Sequence, residues 1–209
     1  MINTLTTLSA IALLATAPLA QAAAVVDTGT PNGQAVGALA FDSIDWTAAQ
    51  VSFSQAADID SIEGHILGGA SGETFDISLY ANDAVQGPGT LLYTTTATFG
   101  ADGWNGASGL SGWNVTAGSY WIEFEIQGDD TLGSSSVTGA LLDVGAPNPV
   151  ALTATTGDSG FSYATGAESI GLRVDANSVT SVPEAAAALQ LLAGSLLLTS
   201  LSLARRRRG

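Results

Sequence analysis

The sequence predicts a mainly β protein, an antiparallel β-sandwich or jelly roll, and three observations support this fold class. Apolar and polar residues alternate with a period of two in several short segments, as in strands that bury one face. Turn-forming Gly, Asp and Pro residues separate these segments at close spacing. No segment of the body has the 3.6-residue period of an amphipathic helix. Many short strands joined by such turns are typical of a sandwich.

The clearest strands have an apolar residue at every second position, and they lie at residues 75–80, 120–127 and 170–175. In the second of these, Tyr120, Ile122, Phe124 and Ile126 form the apolar row. Weaker patterns predict further strands at residues 36–41, 62–67, 91–99, 112–115, 140–144 and 161–164. Turns are predicted at residues 86–89, 116–119 and 128–130, where Gly and Asp supply positive φ angles and local hydrogen bonds.

The first 24 residues have the layout of a secretory signal peptide. Residues 8–14 form an apolar segment, Pro18 follows, and small residues flank two overlapping cleavage sites, at residues 20–22 and 22–24. This layout predicts processing by signal peptidase and export of the body, residues 25–174. An uncleaved anchor or a buried helix is the alternative interpretation.

The C-terminal residues predict a single transmembrane helix at residues 185–204, preceded by a polar linker at residues 175–181. The uncharged run of 20 residues rises about 1.5 Å per residue, so it spans about 30 Å, the thickness of a bilayer core. Arg205, Arg206, Arg207 and Arg208 follow the run and favour a cytoplasmic C-terminus. The body is therefore expected outside the cytoplasm.

The charge balance excludes nucleic acid as a partner. The chain has 19 Asp and Glu residues, no Lys and a formal net charge of −14, and Arg173 is the one basic residue of the body. Such a surface repels phosphate backbones. The chain also has no Cys, which excludes disulfides, thiolate nucleophiles and Cys-based metal sites.

The C-terminal segment, residues 182–208, resembles the PEP-CTERM sorting signal, which has a Pro-Glu-Pro box, a membrane span and an Arg cluster in that order. Here the box is Val182, Pro183, Glu184 and Ala185, with Ala in place of the second Pro. The resemblance implies a Gram-negative bacterium that makes exopolysaccharide and biofilm, and recognition by an exosortase. The implied route is an inner-membrane precursor with a periplasmic body, then the cell surface or extracellular matrix. A plain anchor that is never processed is the alternative.

The body also resembles an extracellular region that recurs in such proteins, although no biochemical activity is attached to that region. The resemblance covers residues 75–80, 87–93, 110–115 and 117–121.

No catalytic residues are predicted, and the protein is not expected to be an enzyme. His65 is the single histidine, and no nucleophile-elbow motif accompanies it, so neither a Ser-His-Asp triad nor a zinc site is expected. A surface or strand position is predicted for His65.

A carbohydrate-binding surface is the more specific alternative. Glu123 and Glu125 lie two residues apart, hence on the strand face that also carries Trp121. We expect this face either to be solvated or to form a sugar platform; two carboxylates also allow a glycosidase. Trp104 and Trp113 lie in a glycine-rich stretch that fits either core packing and turns or a ligand groove.

No cofactor is expected, although two acidic clusters are possible calcium ligands. Asp58, Asp60 and Glu63 form one cluster, and Asp129 with Asp130 forms the other. Calcium prefers several oxygen ligands from flexible loops, but neither cluster has the EF-hand spacing.

Together these patterns predict an exported, non-catalytic surface or matrix protein associated with exopolysaccharide. A carbohydrate-binding module and a glycosidase are the alternatives.

Overall fold

The structure, a computed structural model, describes residues 23–32, 38–83, 87–135 and 139–178. These residues form a mainly β fold of two antiparallel sheets, which confirms the predicted fold class at that level. Among the described residues, no helix has the length and apolarity needed to cross a bilayer. The predicted signal peptide up to residue 22 and the whole predicted sorting signal lie outside the described residues.

Sheet A contains seven strands, of which five follow the order β1-β13-β4-β10-β2, while β7 and β8 also pair with β4. The strands are β1 (Ala23–Asp27), β2 (Leu39–Phe41), β4 (Ala57–Leu67), β7 (Gly103–Ser108), β8 (Asn114–Val115), β10 (Ala140–Leu142) and β13 (Leu172–Ser178).

Sheet B contains six strands in the order β12-β11-β3-β9-β5-β6. They are β3 (Trp46–Phe53), β5 (Thr74–Asp83), β6 (Gly87–Thr98), β9 (Gly118–Glu125), β11 (Thr153–Thr156) and β12 (Ala164–Gly166). Because β3, β9 and β5 are consecutive, the central residues of β9 have a strand on either side.

The three clearest sequence patterns correspond to β5, β9 and β13, and the weaker patterns overlap β2, β4, β6, β8, β10 and β12. The boundaries differ at several ends. Residues 175–178, expected in the linker, form the last part of β13, and residues 161–163, expected as strand, form a loop before β12. The sequence patterns did not predict β1, β3, β7 or β11.

The apolar rows meet between the two sheets and form the core. Phe75, Ile77 and Leu79 of β5 and Ile122 and Phe124 of β9 are all fully buried there. The sheets approach closely at Gly64 of β4, where a Cβ atom would lie 2.8 Å from the Phe124 ring. A side chain at this position would therefore force the sheets apart or displace the ring.

The two chain ends of the described body lie at one end of the sandwich. Ala23 in β1 pairs with Ala176 in β13, and β13 ends two residues later. At the opposite end, loops 42–45 and 157–162 contact each other, since the Ser159 amide donates to the Ile44 carbonyl at 3.1 Å. The sandwich thus separates its chain ends from this loop pair.

Candidate functional site

The three tryptophans proposed as glycan contacts do not form one surface. Trp113 is 7% exposed and belongs to the core, where it stacks on Tyr93 with ring centroids 5.3 Å apart. Trp121 is 1% exposed on the outer face of sheet B, and its Nε1 donates to Asn82 Oδ1 at 2.8 Å. Trp104 is half-buried on sheet A. Two of the three therefore have almost no surface to offer a sugar.

Glu123 and Glu125 share the face of β9 that carries Trp121, as predicted, but the expectation that this face is solvent-exposed is wrong. Both glutamates are 0% exposed. The cause is a second layer: Tyr163, from the segment joining β11 to β12, packs with Trp121, Ala48 and Ala154 against the outside of sheet B. In the structure a sugar therefore has no access to these two carboxyls, which both a sugar platform and a glycosidase pair would require.

The buried carboxyls have few hydrogen-bond donors. Tyr163 Oη donates to Glu123 Oε2 at 2.9 Å, and Tyr80 Oη donates to Glu125 Oε1 at 2.7 Å. Gln127 Nε2 donates to Glu125 Oε2. Glu123 Oε1 is buried and has no hydrogen-bond donor. Since a buried carboxylate oxygen without a donor is costly, the ionised form of Glu123 is poorly stabilised.

This environment favours the protonated form of the pair. Burial, followed by the charge of Glu125, raises the pKa of Glu123 to about 8, although the Tyr163 hydrogen bond lowers it. Burial also raises the pKa of Glu125, against the hydrogen bonds from Tyr80 and Gln127. Burial and the neighbouring glutamates raise the pKa values of both tyrosines, which remain neutral donors. We refer to Glu123, Glu125, Tyr80 and Tyr163 as the carboxyl pocket.

A different group of polar residues lies on the outer face of sheet A around Trp104. The Arg173 guanidinium carbon lies 3.9 Å from the centroid of the Trp104 ring. His65 contacts the same ring edge-on, with centroids 5.2 Å apart and planes at 86°. His65 Nδ1 lies 3.0 Å from Asp143 Oδ2, an ion-pair distance, although the ring N–H is not aligned for a hydrogen bond. We call Trp104, His65, Asp143 and Arg173 the Trp104 platform.

Sheet pairing explains why this group assembles. Trp104 of β7 lies opposite His65 of β4, and Arg173 of β13 lies opposite Glu63 on the other side of β4. Arg173 Nε also lies 3.5 Å from Asp27 Oδ1. The sequence did not reveal the platform because its members are scattered along the chain. To predict the platform from the sequence, it would have been necessary to recognise residues 103–108 as the strand β7.

The proposed calcium ligands are not arranged as one loop. Asp58, Asp60 and Glu63 all lie within β4 rather than in a flexible loop, and Asp129 and Asp130 lie in the turn that follows β9. Asp130 Oδ2 already accepts a hydrogen bond from the Gln127 amide at 3.2 Å. Within the described ranges, no group of three or more His, Cys, Asp or Glu side chains is arranged to hold a metal ion.

Glu73 is a further buried carboxylate, and the sequence analysis did not single it out. Its Oε2 accepts from the amides of Ala70 and Gly133, each at 2.8 Å, and its Oε1 accepts from the Ser135 amide at 3.0 Å. The hydroxyl groups of Ser134 and Ser135 also donate to Oε1. Burial alone would raise the pKa of Glu73, but these hydrogen bonds lower it to about 2. The ionised Glu73 side chain therefore links, by hydrogen bonds, the loop that contains Ala70 to the loop that contains Gly133 and Ser135.

Comparison with known proteins leaves the chain without a family assignment. No protein-family model, curated protein or solved structure matches it.

Proposed function

We propose that this protein is an exported, non-catalytic surface or matrix protein, released or re-anchored by an exosortase that recognises its PEP-CTERM-like tail. The body would be delivered through the inner membrane and retained among exopolysaccharide. The observation that carries the proposal is the sequence order of box, apolar run and Arg cluster in residues 182–208.

The position of the chain ends supports this arrangement. Because Ala23 pairs with Ala176, the first and last described residues of the body lie at one end of the sandwich. A tether that continues from Ser178 would leave the opposite end and both outer faces free. This geometry suits a domain displayed from a membrane and later released from it.

Mass spectrometry of the mature protein from its native host tests the proposal. We expect a C-terminus near Val182–Ala185 and loss of Arg205–Arg208. A Glu184→Ala variant should remain full-length, whereas the matched change Glu168→Ala, in the exposed part of the body, should be processed normally. A mature wild-type chain that keeps all four arginines would contradict processing and leave a plain anchor.

Carbohydrate binding at the Trp104 platform is the second candidate, and the half-buried indole beside Arg173 and His65 favours it. Aromatic rings contact the C–H faces of sugars, and charged side chains bond their hydroxyl groups. Asp27 pairs with the Arg173 cation and Glu63 lies opposite it on β4, so a neutral polysaccharide fits better than an acidic one. This site replaces the buried Trp121 face as the proposed sugar contact.

Affinity electrophoresis in gels that contain neutral host polysaccharide tests this second candidate. Retardation should fall at least several-fold in Trp104→Ala and persist in Phe161→Ala, since Phe161 is 90% exposed in loop 157–162, away from the platform. Equal retardation of wild type and Trp104→Ala would exclude the platform as the binding surface.

A further inference from the structure

The outer face of sheet B carries two carboxyl groups that the proposed function does not use. Glu123 and Glu125 are neighbours on one face of β9, fully buried, and Glu123 Oε1 has no donor. Two adjacent buried carboxylates cannot both be ionised without a large electrostatic cost. A single proton held between them would remove one charge and give Glu123 Oε1 the partner that it lacks.

The groups around the pair leave a proton as the best-supported counter-ion. From β5, Tyr80 and Asp76 face the pair, and Tyr163 faces it from the segment that covers it. Gln127 donates an amide hydrogen from the end of β9. The described body has one basic side chain besides His65, Arg173, and it lies on sheet A. Each tyrosine donates its hydroxyl hydrogen to one carboxyl oxygen. Because both described basic side chains lie on sheet A, no positively charged group of the described body offsets a second negative charge at the pair.

The covering segment, residues 157–166, is attached to sheet B at few points. We call it the flap. Its strand β12 is an edge strand with three residue pairs to β11. Tyr163 Oη bonds Glu123, and Gly160 packs so closely on the Trp46 ring that a Cβ there would lie 2.9 Å from it. Ser159 bonds loop 42–45 through its amide and its hydroxyl. Asp158 and Gly160 also bond Thr156 at the end of β11, but the contact from Tyr163 is the one that reaches a fully buried ionisable group of sheet B.

We propose that Glu123 and Glu125 form a proton-binding site whose shared proton holds the flap closed over the outer face of sheet B. Loss of that proton to solvent leaves two carboxylates beneath the flap. Opening relieves this repulsion because water then solvates both groups, and it exposes Trp121 at the same time. The flap is thus closed in weakly acidic surroundings and opens increasingly as the pH rises.

Native-state amide hydrogen exchange, followed by NMR between pH 5 and 8, tests the proposal. After correction for the intrinsic exchange rate, protection of the amides that join β12 to β11 should fall about tenfold per pH unit, because opening releases about one proton. Amides of β4 and β13 in sheet A serve as the internal control: they exchange through unfolding of the whole domain, so they should stay more protected than those of the flap at every pH. Protection of the flap that does not depend on pH, or flap amides as strongly protected as those of β4 and β13, would overturn the proposal.

Three variants separate the proton from other causes. Glu123→Gln keeps an acceptor for Tyr163 but cannot ionise, so the slope should disappear; Glu125→Gln should have the same effect and replaces it if the first variant does not fold. Tyr163→Phe should lower protection about tenfold at every pH and keep the slope. If calcium or sodium added at pH 8 restored protection in wild type but not in Glu123→Gln, the site would bind a cation and the proposal would be wrong.

Discussion

Glu73 and Glu123 are both buried glutamates, yet the fold shifts their pKa values in opposite directions. Glu73 receives three backbone amides and two serine hydroxyls, and its pKa falls to about 2. Glu123 receives one tyrosine hydroxyl, lies beside Glu125, and its pKa rises to about 8. Burial opposes ionisation in both cases, so the number of donors and the charge of Glu125 beside Glu123 decide the outcome.

The contrast has opposite consequences for stability. The pKa of Glu73 is lowered from 4.5 to about 2 in the folded protein. Its contribution to the free energy of unfolding is therefore present above pH 4.5 and is lost as the pH falls toward 2. The pKa of Glu123 is raised from 4.5 to about 8, so the folded protein favours the protonated form of this group. Its contribution to stability is therefore lost as the pH rises from 4.5 to about 8. These two groups together favour the greatest stability near pH 4.5 to 5.

The largest predicted effect is the loss of stability between pH 4.5 and 8. Wild type should lose free energy of unfolding relative to Glu123→Gln by about 1.4 kcal/mol per pH unit at the steepest point, because the native state holds one more proton there. Urea denaturation of both proteins across this range measures the difference. Parallel profiles would show that Glu123 is not protonated in the folded protein.

Replacement of Glu73 by Gln is expected to cost about 3 kcal/mol at pH 7. The amide group keeps one acceptor oxygen but places an NH₂ group against donors from Ala70 and Gly133, or from Ser135. Chemical denaturation at pH 7 measures the loss, with Glu168→Gln, an exposed carboxylate, as the matched control. If the two variants were equally stable, the hydrogen bonds to Glu73 would contribute nothing to folding.

Tyr80→Phe should have a smaller effect, about 1 kcal/mol at pH 5, since it removes the single hydrogen bond from Tyr80 to Glu125 Oε1. The loss should grow as the pH rises, because an ionised Glu125 depends more on that donor. Thermal unfolding at pH 5 and at pH 8 checks both statements. A smaller loss at pH 8 than at pH 5 would contradict the role of Tyr80 as a donor to the carboxyl pocket.

The smallest effect is expected at the Trp104 platform. Arg173→Gln should cost about 0.5–1 kcal/mol, because the cation lies over the Trp104 ring at a half-buried site and its pair with Asp27 is exposed. Arg173→Lys, which keeps the charge but not the planar group, should recover part of the loss. Denaturation curves with and without added salt should shift little, since the ring contact is less screened than the Asp27 pair.

The sequence predicted strands well where one face is buried and the other is polar. Phe75, Ile77 and Leu79 alternate with polar residues, and β5 follows that pattern. In β3, by contrast, Trp46, Thr47, Ala48 and Ala49 are all buried, so both faces are covered and no alternation is visible. In β7 two glycines weaken the strand signal, although Gly106 is needed because a Cβ there would overlap the Ile62 carbonyl oxygen.

The candidate sites were harder to predict, for a reason of tertiary structure. Spacing along β9 correctly placed Trp121, Glu123 and Glu125 on one face. It did not reveal that residues 157–166 cover this face, because that contact joins segments some 40 residues apart, such as Glu123 and Tyr163. Likewise, the partners of Trp104 come from β4 and β13, and a single sequence gives no signal that brings them together.

The pairing of β13 also determines how the domain would respond to mechanical load. β13 lies inside sheet A, between β1 and β4, and aligns seven residue pairs with β4. A pull on the chain beyond Ser178 would act along this strand and strain its hydrogen bonds together, in shear, rather than peel them apart one at a time. The sandwich is therefore built to withstand force at the end from which its predicted tether continues.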